Sequence, residues 1–308
     1  MMGLLLINAC WRDVEAVWYV KYMSNFSIEW EVKMKLAFTT LGCPGWDIDT
    51  ICKNGSKFGY QGVDFRGLQD QIDITITPEF TTNLLETKRK LKDAGLAVPN
   101  ISTSISVCVP EKEAQFIEEA KRTIPIANEL GTASLRVFGN GDVKAHTKEA
   151  LADFGQNLME KLLALDGGSN LKWVFETHDH WIASQDCKLL LDRIPNPAFG
   201  ALWDMGHTTR VGGEAPADTL AALGNRVYYT HIKDAIYDTA HPEAMKDGWR
   251  YVTPGKGQLP LAEAIALLKN KGYDGWVMFE HEKRWHMELP EPEVIFPEFV
   301  SWFRSLTT

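Results

Sequence analysis

Four apolar segments of this sequence each end on a residue that could bind a metal ion or move a proton. Those end residues are Glu176, Asp204, His231 and Glu280. Strands that are buried on both faces read as continuous apolar runs, so a charged residue at the end of one requires a partner or a function. Parallel strands of a barrel bring their carboxyl ends to one rim. We therefore expect the four side chains to converge at that rim.

Three carboxylates and one imidazole suit a divalent metal ion. Such hard oxygen ligands favour one Mn²⁺ or Mg²⁺ ion, with Co²⁺ or Zn²⁺ also open. A divalent ion is a Lewis acid, and it stabilises the negative charge that forms when a proton leaves the carbon beside a carbonyl. Glu176 and Glu280 lie on different strands, so we expect them to remove and return that proton as catalytic acid and base. Return to the opposite face is epimerisation, and transfer to the next carbon is aldose–ketose isomerisation.

Three residues near these strand ends are candidates for binding substrate. Lys233 follows His231 by two positions, and alternation along a strand places both on the same face. His207 lies three residues after Asp204, and His178 lies two residues after the first glutamate. Imidazole and ammonium groups bind hydroxyl, carboxylate or phosphate oxygens. We expect all three side chains to line the barrel mouth.

Arg66 is a fourth substrate-binding candidate, since alternation places it with Asp64 on the inner face of the second strand. For Arg66 and Arg136 two interpretations stay open: a position in the barrel mouth, or pairing with an interior acid such as Asp64. Two interpretations also stay open for Gly255-Lys256-Gly257. It lies where many barrels bind phosphate, and it equally fits a tight turn.

Strand and helix patterns alternate regularly from Met34 onward. The predicted strands before the four that end on the candidate ligands are 35–40, 62–66, 98–105 and 135–138. The predicted helices are 47–57, 80–94, 110–130, 147–165, 184–193, 217–223, 260–271 and 292–306. Eight alternations predict an α/β fold, a single-domain (β/α)8 TIM barrel. An open doubly wound sheet is the alternative, but it does not explain ligand-type residues after strands five to eight alike.

Residues 1–33 show no clean helical or alternating period, so we expect an N-terminal extension followed by a barrel at 34–308. A chain of 308 residues suits one large barrel. The net charge of −9 argues against a nucleic-acid partner, and no apolar run is long enough to span a membrane. Five scattered cysteines fit a reducing cytoplasm better than a disulfide framework. A homo-oligomer is left open.

Four short motifs resemble the xylose isomerase-like TIM-barrel superfamily. They are Val-Phe-Glu-Thr-His at Glu176, Trp-Asp-Met-Gly-His at Asp204, Thr-His-Ile-Lys-Asp at His231 and Met-Phe-Glu-His at Glu280. More narrowly, the chain from Met34 is similar to the sugar-phosphate isomerase/epimerase branch, which includes ketohexose 3-epimerases and inosose-processing enzymes. The resemblance implies that the four residues hold a divalent metal ion and that His207 contacts substrate oxygens.

The leading hypothesis is a metal-dependent isomerase or epimerase whose substrate is a small carbohydrate, either free or phosphorylated. The alternative is a lyase on the same site, which eliminates water or cleaves an oxidised glycoside. A nuclease of the endonuclease IV type is less favoured, because its trinuclear zinc site needs more histidines and the chain has eight in total. A non-catalytic sugar-binding barrel is disfavoured by the complete ligand set. The resemblance does not fix the substrate.

Overall fold

The computed structural model describes residues 34–307, and eight parallel strands within them form a barrel. The strands of the barrel and of one short additional pair are β1 (Lys35–Thr39), β2 (Gly62–Asp64), β3 (Asn100–Ser106), β4 (Ser134–Phe138), β5 (Lys172–Glu176), β6 (Phe199–Asp204), β7 (Val227–Ile232), β8 (Asp234–Tyr237), β9 (Trp249–Val252) and β10 (Trp276–Phe279). Successive barrel strands pair in parallel, and β10 pairs with β1. Two isolated bridges, Gly62–Ala97 and Phe65–Ile101, join β2 to β3. The predicted (β/α)8 barrel is confirmed.

Helices surround the barrel. They are α1 (Ile48–Phe58), α2 (Leu84–Asp93), α3 (Glu113–Leu130), α4 (Lys148–Ala164), α5 (Ser184–Arg193), α6 (Met205–Arg210), α7 (Pro216–Leu223), α8 (Leu261–Asn270) and α9 (Pro292–Thr307). Two predicted helices are shorter than expected, because a 3₁₀ turn with proline at its first position precedes each of them at Pro78–Phe80 and Pro110–Lys112. None of the helices in the described range is long and apolar enough to cross a membrane.

Local signals in the sequence set several helix boundaries. The carboxylate of Asp47 accepts a hydrogen bond from the Thr50 amide at 2.8 Å, so it caps the start of α1. Helix α3 ends at Gly131, whose φ of 73° is a left-handed conformation that glycine adopts without a steric penalty. The first cap sets where α1 begins, and the second sets where α3 ends before β4.

The strand period of two residues builds the barrel interior in layers. The side chains of Ala37, Val174, Leu202, Tyr229 and Met278 form one buried cluster inside the barrel. The residue two positions after each of the last four is a candidate ligand. Intervening residues such as Phe175 belong to the larger core between the strands and the helices. The strand register therefore places the four ligand candidates in the layer next to this apolar cluster, which we call the apolar floor.

The opposite half of the barrel interior is polar and internally hydrogen-bonded. Asn100 Nδ2 and Ser102 Oγ donate to the two carboxylate oxygens of Asp64, at 2.8 and 2.9 Å. Ser134 Oγ donates to Asn100 Oδ1 at 2.8 Å. Neutral side chains thus provide the hydrogen bonds that the Asp64 carboxylate accepts. Burial raises the pKa of Asp64.

The described residues all belong to the barrel. The proposed extension at 1–33 lies outside them, so the boundary at Met34 stays a proposal. Met34 itself is buried and leads directly into β1.

Candidate metal centre

Glu176, Asp204, His231 and Glu280 converge at the carboxyl ends of β5, β6, β7 and β10. All four are buried, and one potential ligand atom from each lies within 4.8 Å of the others. One ring nitrogen of His231 faces both glutamates, with Nδ1 3.6 Å from Glu176 Oε1 and 3.1 Å from Glu280 Oε1. Residues Asp204 and His231 are direct register partners on adjacent strands. The cluster combines three carboxylates with one imidazole.

Several polar atoms of this cluster have no hydrogen-bond partner among residues 34–307. They are Asp204 Oδ2 and both ring nitrogens of His231, all three inaccessible to solvent. Lys233 Nζ lies near Asp204 Oδ2, and Glu280 Oε1 near His231 Nδ1, but these contacts lack the geometry of a hydrogen bond. A buried polar atom left without a hydrogen bond costs about 1–3 kcal/mol, so such a group requires an explanation. A divalent cation accepts lone pairs from carboxylate oxygen and imidazole nitrogen alike. These residues therefore fit a divalent cation.

The charges in the cluster compensate one another when no cation is bound. Burial would lower the pKa of His231, but Glu280 and Glu176 outweigh burial and raise it to about 10. Burial likewise opposes the ionised form of Glu280, yet Lys233 and His231 hold its pKa well below the ordinary value. Without a cation, an imidazolium therefore faces the two glutamates. His231 must release that proton to ligate a metal ion.

Asp204 also determines where His207 lies. Its Oδ1 accepts the His207 amide at 2.8 Å, which makes Asp204 the N-cap of α6. The capped turn explains the three-residue spacing and brings His207 Nδ1 to 3.1 Å from Asp204 Oδ2. Burial lowers the pKa of His207 well below its usual range, which favours a neutral imidazole. His207 is thus held against the cluster by backbone geometry.

His178 and Lys233 approach the cluster from different sides. The rings of His178 and His207 are 4.7 Å apart and nearly perpendicular, and His178 remains 35% exposed. Lys233 contacts Glu280 and lies 2.9 Å from Asp204 Oδ2 and 3.0 Å from Glu282 Oε1. The structure brings both predicted side chains to the candidate site. Glu282 was not singled out from the sequence, because an acid two residues past a strand end looks like a solvated loop residue.

Arg136 lies beside the cluster and not on the interior acid, whereas Arg66 contacts a serine of β3. The Arg136 guanidinium packs 3.8 Å from the centre of the Phe138 ring, and its Nη1 is 3.5 Å from Glu176 Oε2. Arg66 Nη1 donates to Ser104 Oγ at 3.0 Å. The sequence left open whether Arg136 lies in the barrel mouth or pairs with Asp64. Its contact with Glu176 favours the barrel mouth.

The loop at Gly255–Leu259 is closed around a carboxylate of the chain itself. Asp234 Oδ2 accepts the amides of Gly255 and Gly257 at 2.8 and 2.9 Å. Its Oδ1 accepts the Ala235 amide at 2.9 Å. A side chain at position 257 would place a Cβ 1.9 Å from Asp234 Oδ1, so glycine is required there. The backbone amides that could have bound a phosphate are occupied, which favours the tight-turn interpretation of this segment.

Replacing Asp234 by Asn is expected to lower the free energy of unfolding by about 1–3 kcal/mol. The amide nitrogen would face the two glycine amides, leaving buried donors without an acceptor. Denaturant unfolding of the purified chain measures the effect. Lys256→Ala is the matched control in the same loop, since Lys256 only meets Glu298 on the surface. Equal stability of the Asp234→Asn variant and the parent chain would contradict the proposed role of the carboxylate.

Comparison with known proteins supports the fold and the family. An inosose dehydratase of Clostridium tetani is 23% identical over 188 residues, which are 56% of this chain and 61% of that protein. The 3-keto-D-glucoside 4-epimerase of E. coli superposes with a TM-score of 0.69 at 15% identity, covering 89% of this chain and 100% of that one. A xylose isomerase-like protein of Mycobacterium smegmatis, in complex with magnesium, gives 0.65 at 16% identity, with 90% and 96% covered.

The match to a protein family covers most of the chain. Residues 52–306 fit the family described as xylose isomerase-like TIM barrel. All four candidate ligands, and the substrate-binding candidates from Arg66 to Lys233, lie inside this range. The chain belongs to the xylose isomerase-like TIM-barrel family.

Proposed function

We propose that this chain is a divalent-cation-dependent enzyme that removes a proton beside the carbonyl of a small carbohydrate and returns it, as an isomerase or epimerase. The observation that supports this most is the cluster of Glu176, Asp204, His231 and Glu280. Its unsatisfied buried atoms point to a cation, and barrels carry out their chemistry at this rim. The name of the 3-keto-D-glucoside 4-epimerase with the same fold is consistent with the proposal.

The proposed roles of the residues follow from their positions. When bound, Mn²⁺ or Mg²⁺ would supply Lewis-acid stabilisation of the negative charge on the substrate oxygen. Glu176 and Glu280 lie at the ends of β5 and β10, the outer two of the four strands that carry the cluster, so one can take the proton and the other can return it. His207 and Lys233 would orient hydroxyl and carbonyl oxygens. Trp181 and Trp203 are fully buried and take no part.

A second candidate is a dehydratase on the same site. The observation that favours it is His178, a partly exposed imidazole whose Nδ1 lies 2.7 Å from Asp179 Oδ1. An imidazolium in this position could protonate a hydroxyl as it leaves the carbon next to the deprotonated one. The sequence relative named inosose dehydratase agrees with this alternative.

The proposal is tested by solvent exchange. We expect the Mn²⁺-loaded chain, incubated in deuterated water with a panel of ketoses and keto-inositols, to place deuterium on the carbon next to the carbonyl. Mass spectrometry detects the label, and chromatography separates an epimer or isomer from a product that has lost water. Label in the recovered sugar or its epimer supports the leading function, whereas a dehydrated product supports the second. Exchange that is absent, or equal after chelation, would overturn both.

A further inference from the structure

Arg136 has an unusual environment for a buried charge. Its side chain is 4% exposed, and its Nε and Nη1 atoms have no hydrogen-bond partner in the described part of the chain. Glu176 is the one acid within 4 Å of it among the described residues, and Glu176 belongs to the metal-ligand cluster. An arginine does not lose its proton in proteins, so burial cannot neutralise it. Arg136 therefore lacks an acceptor of its own.

A second guanidinium reaches the strand next to that of Arg136: Arg136 is the register partner of Ser102 in β3, and Arg66 binds Ser104 of β3. Arg66 is partly buried and donates from Nη1 to Ser104 Oγ, while the Ser104 amide is bound to Glu119 at 2.6 Å. Burial and the charge of Arg136 together lower the pKa of Arg66 to about 10. Two cations placed near each other in a low-dielectric site repel, and an anion bound between them relieves that repulsion.

We propose that Arg136 and Arg66 form a subsite for a carboxylate group of the substrate, next to the metal centre. The substrate would then be a sugar acid or a related polyhydroxy carboxylate, a deduction that rests on the proposed function for the reacting carbonyl. Phe138 packs against the Arg136 guanidinium, and the Nε and Nη1 atoms, which are buried without a hydrogen-bond partner among the described residues, would donate to the planar carboxylate.

A phosphate group fits the rim less well. Barrels usually bind phosphate with backbone amides of the late loops, and here the amides of Gly255 and Gly257 already bind the Asp234 carboxylate. The subsite at Arg136 offers guanidinium groups and one serine hydroxyl. A carboxylate with two acceptor oxygens matches this supply of donors.

Binding of unreactive ligand pairs tests the subsite. The Mn²⁺-loaded chain is titrated by calorimetry with D-gluconate and D-glucitol, and with the galacto and manno pairs, which differ only in the carboxylate. We expect at least one aldonate to bind about tenfold or more tightly than its alditol. Arg136→Gln and Arg66→Gln should each reduce that preference for the aldonate over its alditol. Arg66 has no ion pair with the four-residue cluster, so Arg66→Gln should also leave the alditol and Mn²⁺ affinities unchanged. Arg89→Gln removes an exposed arginine of α2 and is the charge-matched control.

The alternative roles predict different results. If Arg136 only orients Glu176, then Arg136→Gln will weaken Mn²⁺, aldonate and alditol binding alike, which overturns the subsite. Equal affinity for aldonates and alditols also overturns it. So does an arginine-dependent gain for D-glucitol 6-phosphate without one for D-gluconate. Should Arg136→Gln fail to fold, Arg66→Gln at the less buried position decides. The calorimetric titrations need no turnover, so they test the subsite separately from the proposed function. If the chain exchanges deuterium into neutral sugars but does not prefer aldonates, the subsite is wrong and the proposed function is retained.

Discussion

Glu280→Gln is expected to lower turnover by about 10²-fold or more while the chain still binds its cation. Glutamine keeps the size of the side chain and one ligating oxygen, but it cannot accept the substrate proton. Glu176→Gln should behave in the same way, because each glutamate is proposed to serve one side of the substrate. Deuterium exchange and bound-metal analysis, made on the same preparation, separate the loss of the base from the loss of the cation.

The control for this prediction is Glu282, a second acid that contacts the lysine beside Glu280. Lys233 contacts both Glu280 and Glu282, so Glu282→Gln removes one of its partners and leaves the four-residue cluster intact. A fall of less than about tenfold is expected for that variant, since glutamine can still accept a hydrogen bond from Lys233, and Lys233 keeps Asp204 and Glu280 as charged partners. Near-normal turnover of Glu280→Gln would rule out the two-glutamate mechanism. Exchange that persists in only one glutamate variant would indicate a single base.

Asp204→Asn is expected to weaken cation binding by about 10²-fold or more without unfolding the chain. Asparagine is as good an N-cap as aspartate, so its amide oxygen can still accept the hydrogen bond from the His207 amide, and α6 still forms. The position of Oδ2 would then hold the amide nitrogen, which has no lone pair to offer a cation. Loss of even a ligand's supporting partner costs 10–100-fold in affinity, so loss of the ligand charge should reach that upper range.

Asp47→Asn supplies the matched control for this substitution. It makes the same change at another helix N-cap, which does not belong to the four-residue cluster, and should leave cation affinity unchanged. Elemental analysis after dialysis and the melting temperature give the two readouts. We expect about one divalent ion per parent chain, and loss of activity with a chelator. If the Asp204→Asn variant retains the ion with the affinity of the parent, Asp204 is not a ligand.

The sequence was sufficient to predict the cluster because strand alternation is a strictly local rule. A carboxylate or histidine two residues past an interior apolar residue must face the barrel axis, and β5, β6, β7 and β10 each provide one. The capping geometry of Asp204 explains why His207 could be named as well. Helix starts were predictable for a similar reason: the Asp47 side chain binds a backbone amide only three residues away.

Pairings between distant residues could not be predicted in the same way. Asp234 binds amides more than twenty residues downstream, and nothing in its own neighbourhood marks it as a loop anchor. The strands β8 and β9 were missed because they are four residues each and are separated by a polar loop. Whether Arg136 would meet Asp64 or Glu176 depended on how Asn100 and Ser102 satisfy Asp64, which is a tertiary property.

The layered interior has a consequence for insertions and deletions. Val174 belongs to the apolar floor, and Glu176, two positions later, belongs to the ligand cluster. Deleting Phe175, which lies between them, would turn the glutamate outward to the helices and bring Thr177 to the axis. Length changes after each ligand, in the loops, do not alter this register. A library that varies loop length beyond Glu280 can therefore reshape the mouth, whereas single-residue deletions in β5, β6, β7 or β10 remove a ligand.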